Sequence, residues 1–160
     1  MSVSRGAAGG RDDASETATT EGVRLVTDME QHERRRAIVR GFSDPGVDRW
    51  QHFAPDFRWR MIGTTAVSGV AVGRAGIEEK MAPLRSGLAS NRVYVDAVIG
   101  EGDRFVKLAH TEGVTSDGQP FRNELATVFV FDGDVIIEAV EYLDTALISS
   151  VVDGGPRSAR

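Results

Sequence analysis

The stretch DVIIEAVEYLDT, Asp134 to Thr145, decides how this chain is read. Side chains of a strand alternate between two faces. One face is Val135, Ile137, Ala139, Glu141 and Leu143, and the other is Ile136, Glu138, Val140, Tyr142 and Asp144. The first set is apolar apart from one carboxylate. If that set faces the core, Glu141 enters an apolar interior, where a lone carboxylate is costly and its pKa rises. A carboxyl group tuned in this way suits general acid or base catalysis.

Working back toward the N-terminus, residues 91–134 carry turn signals between long alternating runs, so a meander of hairpins is expected. A Gly102-Asp103 turn pairs Val95 with His110 and Val93 with Glu112. An Asp117-Gly118 turn pairs His110 with Leu125 and Glu112 with Asn123. The common face is then Val93, Val95, Ala97 and Ile99; Val106, Leu108, His110 and Glu112; Asn123, Leu125, Thr127 and Phe129. The opposite face holds an apolar patch of Ala126, Val128 and Val130, which predicts a cover on that side too, most simply a second copy in a homodimer.

The last turn leaves two registers open. A two-residue Asp132-Gly133 turn sets Val140 opposite Leu125 and sends Tyr142 and Asp144 to the core face. A three-residue loop with a bulge puts Glu141 there instead. The second buries the apolar set and is the reading adopted.

On that register His110, Glu112, Asn123 and Glu141 share one face, within reach of one another's side chains. Glu141, Glu112 and His110 are the candidate catalytic residues. Trp59, Met61, Asn123, Leu125 and Phe129 are the candidate substrate-binding residues, with Asn123 placed to donate to a developing oxyanion. The plain alternative is that these polar residues mark where the sheet emerges into water. His110, Glu112 and Glu141 form a conceivable metal set, but no metal and no cofactor is expected.

Upstream, residues 23–42 fit a helix with Val26, Met29, Ile38, Val39 and Phe42 near one face and the Arg34-Arg35-Arg36 run as a solvated face. Ser43-Asp44-Pro45 ends it and can cap a short second helix carrying Trp50 and Phe53. DFRWRMIG, residues 56–63, alternates as a half-buried strand, residues 67–72 form a second extended piece, and residues 74–88 form a helix with Ile77, Met81, Leu84 and Leu88 on one side.

With 160 residues, 41% of them hydrophobic, the chain supports one domain, residues 22–152, between disordered segments 1–21 and 153–160. A net charge of -5 gives no basic footprint for nucleic acid. The absence of cysteine excludes disulfides, a thiol nucleophile and Cys-ligated metals. No run is long and apolar enough for a membrane span or a signal peptide, so a cytoplasmic protein without membrane partners is expected.

The pieces PDFRWRMIG, SGVAVGRAGI, EGDR, TSDGQPFRNE and DVIIEAVEYLDT, in that order after two helices, resemble the SnoaL-like family of the nuclear transport factor 2-like superfamily. The resemblance spans residues 23–152 and implies a conical α+β barrel. In it a curved, mostly antiparallel mixed sheet is wrapped by about three N-terminal helices around a deep pocket and dimerises through its other face. Relatives include polyketide cyclases, ketosteroid isomerases and limonene-epoxide hydrolases. By that resemblance Glu141 matches the strand-borne carboxylate of the epoxide hydrolases, and His110 with Glu112 their Arg and Asp pair. Trp59 and Met61 match their Tyr and Asn, while Arg60 and a position near Thr127 match the two Asp residues of the isomerases. The implied activity is cofactor-independent acid–base isomerisation or cyclisation of a hydrophobic, polyketide- or steroid-like small molecule. Epoxide hydrolysis and non-catalytic ligand binding are the alternatives.

Overall fold

The computed structural model describes residues 12–153, with side-chain environments from residue 20 onward. The expected disordered segments therefore fall largely outside the described residues. Residues 12–21 are an exception, being part of the first helix, α1 (Asp12–Gly41). A short 3-10 helix (Arg49–His52) follows, then β1 (Phe53–Met61), β2 (Gly69–Val72), α2 (Gly73–Gly87), β3 (Leu88–Glu101), β4 (Arg104–Thr115), β5 (Pro120–Asp132), β6 (Val135–Leu143) and α3 (Thr145–Val152).

The six strands form one sheet in the order β2-β1-β6-β5-β4-β3. Only β1 and β6 run parallel; the other neighbours are antiparallel, as hairpin turns require. With the helices this is the expected conical α+β fold, a curved mixed sheet that does not close. The alternation in β1 is realised, with Phe57, Trp59 and Met61 buried and Arg58 and Arg60 exposed. The main core gathers Phe105, Phe129, Phe131, Ile136 and Ala139 under β1 and the end of α1. A second cluster, Val67, Leu84, Phe121, Ile148 and Val151, closes α2 against α3.

Three bulges or loops decide which side chains face inward. The Gly102-Asp103 turn pairs Ile99 with Val106 and Ala97 with Leu108, as read from the sequence, but a bulge between Val95 and Ala97 then pairs Val95 with Ala109 and Tyr94 with His110. The next hairpin corrects a larger expectation. Its loop has three residues, Ser116, Asp117 and Gly118, with Gly118 at φ 84, a conformation natural to glycine. The Thr115 N–H donates to the Gln119 carbonyl at 2.9 Å, and the Gly118 N–H donates to the Thr115 carbonyl at 2.9 Å. One extra loop residue pairs His110 with Glu124 and Thr111 with Asn123, which turns β4 over relative to the two-residue reading.

In the last hairpin Asp132 pairs with Val135, and a bulge past Ile136 sets Thr127 opposite Glu141 and Phe129 opposite Ala139. Glu141 therefore shares the inner face with Thr127 and Phe129, on the parity adopted but one pair nearer the turn. The same bulge turns Val135 and Ile137 outward, 44% and 42% exposed, and carries Ile136 into the core. The expected all-apolar face thus holds only from Ala139 onward.

The helices differ from expectation in three places. Arg34-Arg35-Arg36 is no solvated face. Arg35 is buried and donates to the carbonyls of Gly133 at 2.7 Å and Gly102 at 3.0 Å, tying two hairpin turns together. Arg36 donates to the Val98 carbonyl at 2.8 Å, and Arg34 pairs with Asp134 at 3.1 Å. Of the expected helix face, Ile38, Val39 and Phe42 pack inward, while Val26 and Met29 stay exposed. The short second helix is a 3-10 turn capped by Asp48 rather than by residues 43–45. The third helix is C-terminal: the Asp144 carboxylate accepts from the Ala146 and Leu147 N–H groups and starts α3, a capping signal that the sequence reading passed over.

Candidate active site

A single rung crosses five strands of the sheet. Val98 pairs with Lys107, Lys107 with Thr127, Thr127 with Glu141, and Glu141 with Met61. Their side chains therefore point to the same, inner side. Between this concave face and the helices lies a cavity of about 700 Å³, onto which Glu141, Lys107, Trp59, Asn123 and Leu125 open. Its apolar wall is completed by Phe42, Met81 and Ile148.

Glu141 is held at two points. The Trp59 indole Nε1 donates to Oε2 at 3.2 Å, and the Thr127 hydroxyl donates to Oε1 at 3.4 Å. Burial pushes its carboxyl pKa up from 4.5, with the Lys107 charge and the Trp59 and Thr127 hydrogen bonds opposing the rise. Lys107 is 3% exposed, an environment in which a fully hydrated ammonium is impossible. Burial lowers its pKa from 10.5 to about 8, against the attraction of Glu141 and with help from Arg49. Its Nζ donates to the Ser43 hydroxyl at 3.2 Å and sits over the Phe42 ring, 4.6 Å from the centroid. No ion pair within 4.0 Å joins Lys107 to Glu141, so the two groups face each other across the rung with Thr127 between.

Lys107 was missing from the sequence-derived set. The two-residue reading of the Asp117-Gly118 turn placed it on the outer face, and the Ser116-Asp117-Gly118 loop is the signal that could have found it. His110 and Glu112 accordingly leave the site. They occupy the outer face, where His110 Nδ1 pairs with Asp96 at 2.9 Å, its ring stacks on Tyr94, and Glu112 pairs with Arg122 at 2.6 Å. The conceivable His110, Glu112 and Glu141 metal set does not converge for the same reason, nor does the carboxylate-bearing pair expected beside Glu141 for epoxide hydrolysis.

Of the expected ligand contacts, Trp59, Asn123 and Leu125 line the cavity. Met61 and Phe129 do not: both are buried in the core beneath it, 2% and 0% exposed. Asn123 is committed to structure at both ends of its amide. Nδ2 donates to the Asp144 carbonyl at 3.2 Å, and Oδ1 accepts from the Asp144 N–H at 3.2 Å, clamping the β6–α3 junction. An oxyanion role for that amide is therefore not supported by its geometry.

The fold is shared by known structures. A putative SnoaL-like polyketide cyclase from Jannaschia sp. CCS1 superposes with a TM-score of 0.57 at 22% identity, over 82% of this chain and 94% of that one. TerC co-crystallised with polyporic acid gives 0.62 at 21% identity, over 77% and 98%. A protein with a ketosteroid isomerase-like fold from Catenulispora acidiphila DSM 44928, in complex with trimethylamine, gives 0.58 at 19% identity, over 78% and 94%. At these identities the likeness is one of fold. No curated protein matches the chain. None of the described helices is long and apolar enough to cross a membrane. The SnoaL-like domain family matches residues 35–139, from the end of α1 into β6, and the chain belongs to that family.

Proposed function

We propose that this protein is a cofactor-independent enzyme that moves a proton on a hydrophobic carbonyl compound, isomerising or cyclising it inside the cavity. The observation that carries the reading is Glu141, a carboxyl with a raised pKa on an apolar cavity wall, gripped by Trp59 and facing Lys107. As a carboxylate, Glu141 removes a proton from the carbon next to the carbonyl. The Lys107 Nζ donates to the carbonyl oxygen as negative charge builds there, and the protonated Glu141 returns the proton to another carbon. Trp59 keeps the carboxyl aimed, and Phe42, Leu125 and Ile148 hold the ring system of a polycyclic ligand by shape. The SnoaL-like polyketide cyclase and ketosteroid isomerase-like neighbours favour this class of ligand.

The same reading has the enzyme acting in the cytoplasm as a homodimer. Exposed Leu108 and Tyr142 surround half-buried Ala126, Val128 and Val130 on the outer sheet face, a patch suited to a second copy. The activity is tested with 2-tetralone, a bicyclic ketone, in D2O. Wild type should exchange its α-protons, followed by proton NMR, and Glu141→Gln should lose that exchange by roughly 10²- to 10⁴-fold with circular dichroism unchanged. Undiminished exchange by folded Glu141→Gln would sink the assignment.

A further inference from the structure

Nineteen residues of the chain are lysine or arginine, and only two of these, Lys80 and Lys107, are lysines. Lys80, on α2, donates to the Ser68 carbonyl at 2.8 Å. Lys107 is the cation buried in the cavity wall, and an arginine there would differ in one chemical respect: a guanidinium stays protonated and is not a nucleophile, whereas an amine can be both neutral and nucleophilic. The surroundings favour the neutral form. An ammonium has three N–H donors, and Nζ meets one protein acceptor, the Ser43 hydroxyl at 3.2 Å. Its other neighbours are the faces of Phe42 and Phe129, 4.6 and 5.7 Å to the centroids, and the cavity itself.

We propose that Lys107 is a carbonyl-condensing amine that captures an aldehyde or ketone ligand as an imine, with Glu141 handling the protons. The neutral Nζ attacks the carbonyl carbon, a C–N bond forms, and the C=O π electrons move to oxygen, which takes a proton from the Glu141 carboxyl. Nitrogen returns a proton to the Glu141 carboxylate. The carbinolamine hydroxyl then leaves as water with a proton from Glu141 while the nitrogen lone pair forms C=N. The product is a protonated imine facing a Glu141 carboxylate. The sum is amine plus carbonyl giving imine and water, and no oxidant or reductant is required. The inference rests on the acid–base reading of the cavity and deepens it: an iminium is a stronger electron sink than a ketone, so removal of the neighbouring proton by Glu141 becomes easier.

The test uses the full chain, benzaldehyde and sodium cyanoborohydride at about pH 8, with peptide mapping by mass spectrometry. Lys80 and the N-terminal amine serve as internal references. Because a pKa lowered from 10.5 to about 8 gives Lys107 far more neutral amine at that pH, and its Nζ faces the cavity that admits the aldehyde, Lys107 should acquire the benzyl group at least roughly tenfold faster than Lys80. Excess 2-tetralone should slow that labelling, and Glu141→Gln should slow it at Lys107 alone. Lys107→Arg should abolish the adduct at this position with Lys80 unaffected. Labelling confined to Lys80 and the N-terminus, or equal rates at the two lysines, would overturn the proposal. The two readings separate cleanly. Ketone α-exchange without labelling at Lys107 leaves acid–base chemistry standing and removes the imine. Labelling at Lys107 without exchange does the reverse.

Discussion

The Trp59 indole and the Glu141 carboxylate are joined across the one parallel strand pair of the sheet, Nε1 to Oε2 at 3.2 Å, although Trp59 is the register partner of Ala139. The indole reaches diagonally along the inner face to do so. This bond favours the charged carboxylate, against the burial that favours the neutral acid.

Trp59→Phe keeps the ring and removes the donor. The carboxyl pKa of Glu141 should then rise above its wild-type value, read by carbon-detected NMR against Glu141→Gln. An unchanged or lower value would mean that the indole does not set the charge of this group.

Lys107→Met keeps an unbranched side chain, one atom shorter, and removes the charge that lowers the Glu141 pKa, so this variant too should titrate Glu141 higher. Paired with Glu141→Gln, it replaces two buried ionisable groups by neutral ones. The double variant should be more stable than wild type near neutral pH by roughly 1–3 kcal/mol in urea unfolding, at the expense of activity. A double variant less stable than wild type would contradict the cost assigned to burying both groups.

The pH dependence of that difference follows from the two shifts. Glu141 has a folded pKa above 4.5, so the folded state holds this proton more tightly than the unfolded chain. Its contribution to stability is complete below that value and is lost as pH rises through the folded pKa. Lys107 releases its proton at about 8 when folded and 10.5 when unfolded. Between these values the unfolded chain binds more protons, and stability climbs with pH. Wild type measured against the double variant should therefore lose ground above the acid range and regain it from about pH 8 upward. A flat difference between pH 4 and 10 would count against both shifts.

Arg35→Ala removes a guanidinium that serves the Gly102 and Gly133 carbonyls from the side of α1. Two turn carbonyls on exposed glycines lose the charged donor that the buried arginine supplies, and about 1–3 kcal/mol of stability should go with it. A loss under about 1 kcal/mol would show that water replaces the arginine at no great cost.

What the sequence determined by itself was the strands and the helix that covers them, with Glu141 as a candidate in one of two open registers. Strict alternation in DFRWRMIG and the apolar run ending in EYLDT could be satisfied only by strands with one covered face, and both lie side by side in the sheet. Glu141 was legible as a candidate because the register that buries Ala139 and Leu143 carries this carboxylate inward with them. Its partners were not legible, because side-chain facing has a period of two and depends on turns and bulges to the exact residue. A three-residue loop at Ser116 to Gly118 exchanged His110 and Glu112 for Lys107 and Thr111 on the inner face. The burial of Arg35 was equally hidden, since its acceptors are backbone carbonyls some seventy to a hundred residues away, at turns that carry no side-chain signature. Local pattern set the strands, and tertiary register decided both that Glu141 faces inward and that the group facing it is an amine.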